Sequence, residues 1–363
     1  MVKILCLLLL IIGCSKAIKE ENYPQTESQV LNDFIRSAPL QYINLDEVPV
    51  VNIRLTSENM LFELGVTGVE ENIGKLRSTL IVKDKLYAFE GAGDKIIQMN
   101  LDGKVERTVA RNGRGPGEVL NVFDMDKSDS VILVSDVSNS RIHMFDSKFN
   151  YIKSIDGMRA MRVTINNTFV GHIETLLRGI PDSSGLVNIA KIDSPKNNIA
   201  KVMPKIIPDG FQPGVFNGIN FDINDQNEIA ASYSRLPWMS IFDSTFVLER
   251  TLIFESADFA NRKLLPLKIQ AEGSNGFSAF GYETIINNFK YSGEGDLYIS
   301  DPMGIIQLKK KPDRSFEAVK IYKIEYPESQ ETFVVANFEF FEDDVLMGTN
   351  WYHWFRVNLS EYQ

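Results

Sequence analysis

The sequence predicts an all-β chain of the β-propeller class, and three observations predict it. From about residue 48 onward, short runs of alternating apolar and polar residues are broken by Gly, Asn and Asp, with no long stretch of helical 3.6-residue periodicity. Strand-like segments recur at near-constant spacing: Ile96 and Ile142 stand 46 residues apart, and Ile142 and Met239 stand 97 apart, which is about two repeats. In the clearest repeat, residues 113–155, four short strands follow one another with hairpin-length turns between them, the make-up of a propeller blade.

In chain order, the first element is an export leader. Met1-Val2-Lys3 is a short charged start, and the apolar run from Ile4 to Ile12 is too short to span a bilayer as a helix. Ile11-Ile12-Gly13-Cys14 resembles a bacterial lipobox, which implies cleavage before Cys14 and acylation of that residue. Cys6 lies in the removed segment and Cys14 would carry lipid, so the mature chain would have no free thiol and no disulfide. Ser15 after the cysteine resembles lipoproteins sorted to the outer membrane, on its periplasmic side or at the cell surface. The expected organisation is a leader over 1–13, a lipidated Cys14 with a flexible polar tether over 14–47, and a propeller over 48–363.

The propeller opens with Val48 to Leu55, whose early Pro49 suits an edge strand. This strand is expected to complete the last blade beside Phe355 and Val357, closing the ring and removing free sheet edges. Second strands near residues 87, 132, 169, 230, 298 and 346 then predict six blades of four antiparallel strands. Leu86 to Phe89 with Lys95 to Asn100 marks the first blade, and Glu228 to Ala231 with Trp238 to Asp243 the fourth. The third, around Thr168 to His172 and Leu186 to Ala190, is strongly diverged. Asp296 to Asp301 and Asp344 to Gly348, 48 residues apart, belong to the fifth and sixth.

Residues 113–155 resemble an NHL repeat. The matching positions are the Gly115-Pro116-Gly117-Glu118 turn, Val122-Phe123-Asp124, Ser135-Asp136, Asn139-Ser140-Arg141-Ile142 and Phe145-Asp146. With the lipobox, the chain resembles the six-bladed propeller lipoproteins of Gram-negative bacteria, related in fold to NHL and TolB-like propellers. That resemblance implies a fold and a location; it brings no reaction with it. The recurring turn residues Asp136, Arg141 and Asp301 are expected to serve the turns themselves.

A formal net charge of -10 argues against a nucleic-acid partner, which clustered Lys and Arg would have to hold. Ligands of propellers are expected at the channel mouth, on the face built by loops entering each inner strand and by turns between second and third strands. Projection onto that face collects Arg77, Arg111, Arg114, Glu118, Asn139, Arg159, Arg162, Tyr233, Arg235, Trp238, Tyr282, Trp351, Tyr352 and His353. Arg can grip carboxylate or phosphate bidentately, and Trp and Tyr offer flat faces to sugars or peptide side chains. The tryptophans could equally pack between blades.

The resulting reading is a lipid-anchored, monomeric, non-enzymatic propeller that binds a small ligand, glycan, peptide or protein partner and needs no cofactor. The alternative is a channel-centred sugar or lactone hydrolase or lyase, with or without a metal ion. For the alternative, His143, His172 and His353 fall in different blades, no Gly-x-Ser-x-Gly occurs, and Glu118 has no evident partner as a base.

Overall fold

The computed structural model describes residues 29–56, 60–63, 76–174, 185–205, 218–261, 284–326, 334–342, 345–349 and 353–362. The leader and Cys14 lie outside them.

The described chain opens with helix α1 (Gln29–Arg36) and strands β1 (Leu40–Asn44), β2 (Val50–Arg54) and β3 (Met60–Glu63). Antiparallel four-stranded units follow, each running from inside outwards. The first is β4 (Leu76–Val82), β5 (Lys85–Glu90), β6 (Lys95–Asn100) and β7 (Val105–Ala110). The second is β8 (Val122–Lys127), β9 (Val131–Asp136), β10 (Arg141–Asp146) and β11 (Tyr151–Asp156). The third is β12 (Ala160–Ile165), β13 (Phe169–Glu174), β14 (Gly185–Lys191) and β15 (Asn198–Pro204). The fourth is β16 (Ile219–Ile223), β17 (Ile229–Tyr233), β18 (Trp238–Phe242) and β19 (Leu248–Glu255). The fifth is β20 (Asn288–Tyr291), β21 (Leu297–Asp301), β22 (Gly304–Lys310) and β23 (Phe316–Glu325). The last comprises β24 (Asn337–Glu342), β25 (Val345–Thr349) and β26 (His353–Asn358), with β3 as its outer strand.

These sheets are the blades of a β-propeller. Their innermost strands touch in chain order, β4 to β8, β12, β16, β20 and β24, and β24 returns to β4. Second strands are buried along nearly their whole length, as in β5, β9, β17 and β21, because neighbouring blades cover both faces. Outer strands such as β11 are largely exposed. The core is therefore a set of wedges between blades. Tyr233 and Trp238 join Ile173 and Leu186 between the third and fourth sheets, and Trp354 fills the seam between last and first among Leu76, Leu86 and Met99.

The repeated Phe-Asp endings have a local cause. The Asp146 carboxylate accepts the Lys148 and Asn150 N–H groups, each at 2.8 Å, and Asp243 accepts those of Thr245 and Val247 at 2.8 and 3.1 Å. Each is a side chain that holds the turn before the outer strand, where Phe149 and Phe246 take positive φ of 64° and 67°.

Ring closure differs from the expectation. Val50–Arg54 pairs in parallel with β23, from Val50 opposite Ile321 to Arg54 opposite Glu325, so it borders the fifth sheet and not the last. The last sheet is closed by Met60–Glu63, antiparallel to β26 with Met60 opposite Phe355. Ile53 still packs in one cluster with Phe355 and Val357. Its apolar pattern required burial at this seam but did not specify which edge its backbone would join.

Ordered structure also begins earlier than the tether allowed. Leu31 and Ile35 of α1 are buried against the third and fourth sheets, and β1 pairs in parallel with β19 from Leu40 opposite Thr251 to Asn44 opposite Glu255. Residues 29–55 thus run along the outside of the propeller and cover the outer edges of two consecutive blades.

Candidate binding site

Alternate residues of the innermost strands face the central channel, because side chains of a strand alternate between its two faces. At one level stand Thr79, Asp124, Arg162, Asn220, Asn288 and Asn337. One step further along the strands are Asp126, Thr164, Asp222, Lys290 and Glu339.

Many of these groups bind one blade to another. Asp124 accepts the Val163 N–H at 3.0 Å, and Asp126 accepts the Thr164 hydroxyl at 2.7 Å and the Ile165 N–H at 2.9 Å. The Thr164 hydroxyl oxygen lies 3.1 Å from Asp222, which accepts the Tyr291 N–H at 2.9 Å. Asn220 donates to the Ile286 carbonyl at 3.0 Å, Asn288 donates to Asn337, and Asn337 donates to the Thr79 hydroxyl at 3.1 Å. The result is a polar belt that satisfies buried groups around the channel.

Lys290 crosses that belt. Its ammonium nitrogen lies 3.0 Å from Asp126, 3.6 Å from Glu339 and 4.0 Å from Asp222. Three carboxylates crowd one ammonium group, and all three are nearly removed from water. Burial pushes the Asp222 carboxyl up to about 6 and the Glu339 carboxyl up to about 7; Lys290 opposes this in both, and the charge of Asp126 adds to it. Burial disfavours the Lys290 cation, but the three carboxylates outweigh it and hold its pKa well above the ordinary value. Glu339 differs from its neighbours: 7% exposed, it accepts no hydrogen bond among the described residues.

This cluster forms the floor of a cavity of about 410 Å³ that opens where the turns between first and second strands meet. Ser128, Asn166, Asn167, Asp225, Gln226 and Ser292 stand around it. Beyond the floor the channel narrows to a space of about 20 Å³, so the mouth is a blind cup.

Apart from Arg162, the described residues expected from sequence stand elsewhere, on the opposite face or in the core. Arg111, Arg114 and Arg159 are exposed, and Arg235 is half-buried. Glu118 turns back to accept the Gly115 N–H at 2.8 Å, and Asn139 donates to the Gly113 carbonyl at 2.9 Å and to Asp136 at 2.7 Å. Both therefore shape the Gly113–Gly117 turn. Arg141 donates to the Arg114 carbonyl at 2.8 Å and pairs with Asp156 at 3.0 Å, and Asp136 accepts the N–H groups of Leu120, Asn121 and Asn139. The turn-serving role expected of Asp136 and Arg141 is what these bonds perform.

Trp238 is a correction: at 1% exposure, within the wedge between the third and fourth sheets, it presents no face to a ligand. Tyr233 is equally buried and donates its hydroxyl to the Pro204 carbonyl. The half-buried His353 ring packs edge-on against Tyr326 with centroids 5.7 Å apart. Arg162 does face the channel, 3.7 Å from Asp124. The Arg77 side chain, Tyr282, Trp351 and Tyr352 lie outside the described residues. His143 and His172 are buried in β10 and β13, and among the described residues no group of three or more His, Cys, Asp or Glu has metal-binding geometry.

Sequence reasoning missed the channel cluster, although a signal for it was present. Three innermost strands share the pattern Asn-Phe-charged-apolar: Asn220-Phe221-Asp222-Ile223, Asn288-Phe289-Lys290-Tyr291 and Asn337-Phe338-Glu339-Phe340. In each, Asn and the charged residue face the channel while Phe is buried between blades.

No protein-family model and no curated protein matches the chain. Solved structures similar to it include a protein from Bacteroides fragilis assigned as exported, 11% identical over 85% of this chain and 88% of its own, with a TM-score of 0.47. A protein of unknown function from Bacteroides thetaiotaomicron is 8% identical over 78% of this chain and 70% of its own, with a TM-score of 0.48. An inactive form of virginiamycin B lyase from Staphylococcus aureus, solved with quinupristin, is 9% identical over 82% and 83%, with a TM-score of 0.44. At such identities the likeness concerns the arrangement of strands and not the chemistry of a site.

Proposed function

We propose that the chain is a lipid-anchored, six-bladed propeller of the cell envelope that binds a small polar ligand in its channel mouth without transforming it. The observation that carries the reading is the blind cup of about 410 Å³ floored by Lys290, Asp126, Asp222 and Glu339. A preformed, rigid concavity with a few convergent polar groups is the usual form of a ligand site. The ligand face is thus moved from the Arg-bearing loops to the turns between first and second strands. The Met1 to Cys14 segment supports the envelope location and lipid anchor, and residues 113–155 support kinship with NHL and TolB-like propellers. Closed innermost strands leave no blade in need of a second copy, which supports a monomer.

The test is calorimetric titration of the full chain, purified in detergent, with neutral sugars and short peptides. Exchanging Asp225 for Asn and Gln226 for Ala at the rim should weaken the interaction at least tenfold, while Arg114→Ala should leave it unchanged. The reverse pattern would return the site to the opposite face. Loss of palmitate incorporation in Cys14→Ser tests the anchor.

A second reading, a sugar or lactone hydrolase or lyase, is favoured by Glu339, a carboxyl with a pKa of about 7 in a cleft and suited to proton transfer near neutral pH. Turnover of a lactone or uronide that Glu339→Gln abolishes, with substrate affinity retained, would establish that reading in place of the first.

A further inference from the structure

We infer that the channel mouth takes a two-ended zwitterionic ligand of the short-peptide class, its ammonium group over Glu339 and its carboxylate in the basic pocket adjoining the cup. This inference rests on the mouth being the binding site.

A second cavity of about 370 Å³ adjoins the cup, and the two share Val82, Lys83 and Ser147. Their charges are opposite. Five carboxylates, Asp126, Asp129, Asp222, Asp225 and Glu339, line the cup against Lys83, Lys127 and Lys290. The second cavity is lined by Lys83, Lys85, Arg107 and Lys148 against Asp84. Within it, Lys85 is spent on Glu106 at 2.7 Å, and Arg107 donates to Gln98 at 2.9 Å and to the Lys148 carbonyl at 3.1 Å. The ammonium groups of Lys83 and Lys148 make no such bond among the described residues and are exposed, so both are available to an anion.

Glu339 supplies the other half of the argument. Asp126 and Asp222 are largely satisfied by Thr164, Ile165, Tyr291 and Lys290, whereas among the described residues Glu339 has no hydrogen-bond donor and pairs with Lys290 at 3.6 Å, and it lines the cavity. A nearly buried carboxylate without a hydrogen-bond donor is costly, and an incoming ammonium group would supply both donor and charge. A neutral sugar could donate but would leave the charge, and a polyamine would place a second cation among the lysines of the adjoining pocket. A ligand with an amine at one end and a carboxylate at the other fits both cavities. An extended peptide separates its two charged ends by roughly 3.3–3.6 Å per residue, whereas one amino acid presents its two charges side by side.

The experiment is calorimetric titration of the full chain, in detergent at low salt, with trialanine, N-acetyl-trialanine and trialanine amide. Free trialanine should bind, and either cap should weaken binding at least tenfold. In Lys83→Gln/Lys148→Gln, a variant confined to exposed side chains, the free peptide and its amide should bind alike while the acetyl group still weakens binding. An unchanged melting temperature for that variant, measured alongside, establishes that it folds. Absence of trialanine binding, caps without effect, or a variant that still distinguishes the amide would overturn the inference. Binding of maltotriose at the mouth without trialanine binding would overturn it while leaving the proposed binding function standing; silence toward every probe would remove both.

Discussion

Replacing Lys290 with Met removes the ammonium group that Asp126, Glu339 and Asp222 share at 3.0, 3.6 and 4.0 Å. The Lys290 side chain is 19% exposed and each carboxylate less than 10%, so solvent screens the pairs only weakly. Removing one partner of a buried ion pair costs about 3–5 kcal/mol, and that is the loss expected at pH 8, above the values of Asp222 and Glu339. At pH 5 it should fall to about 1.5–3 kcal/mol, the size of one hydrogen bond to a charged group. Asp222 and Glu339, at about 6 and about 7, are by then largely protonated, and loss of the lysine raises both further. The sign follows from linkage: a carboxyl whose folded value lies above its unfolded one makes the fold less stable as pH rises between the two, here from about 4 to about 7. Urea unfolding followed by circular dichroism at pH 5 and pH 8 reads both losses from the midpoint, provided that the slope is unchanged. A loss equal at the two pH values, or below about 1 kcal/mol at pH 8, would refute the shared-cation account.

Glu339→Gln should remove much of the fall in stability between pH 5 and pH 8, seen as a flatter plot of urea midpoint against pH. Asp136→Ala should cost about 3–5 kcal/mol at pH 7, because it orphans the N–H groups of Leu120, Asn121 and Asn139 at the end of the second sheet. Burial raises the Asp136 pKa, but the His143 ring 3.6 Å away and the hydrogen bonds from those N–H groups outweigh it and hold the value below the usual range. Its contribution is therefore complete above pH ~4 and lost as pH falls through the folded value, so thermal unfolding of variant and parent should converge in acid. Gly304→Ala should cost more than about 1 kcal/mol in urea unfolding, since φ is +148° and a Cβ would stand 2.4 Å from the Tyr322 carbonyl oxygen. Trp238→Ala should cost about 3–5 kcal/mol through the cavity it leaves, with ligand affinity at the channel mouth unchanged by calorimetry.

The blade repeat was legible because each blade solves the same local problem. Phe145-Asp146 and Phe242-Asp243 bury an aromatic ring and fold a carboxylate over the next turn, a device contained within about five residues. The Gly115-Pro116-Gly117-Glu118 turn is local in the same way, closed by Glu118 and tied to Asn139. The candidate site was less legible. Search for Arg and aromatics in loops favoured exposed groups, whereas the channel cluster is assembled from polar residues in the middle of strands, where buried charge is least expected.

The sequence by itself determined strand length, blade period and turn chemistry, since alternation and side-chain capping act between residues close along the chain. Only the tertiary structure decided that Met60–Glu63, and not Val48–Leu55, completes the last sheet, because an apolar edge strand is accepted by any neighbour that buries it. It alone brought Lys290 to Asp126, 164 residues earlier, and to Glu339 in the next blade. Closure of the ring sets those charges within a few ångströms of one another and strips their water, and neither separation nor burial is a property of any one strand.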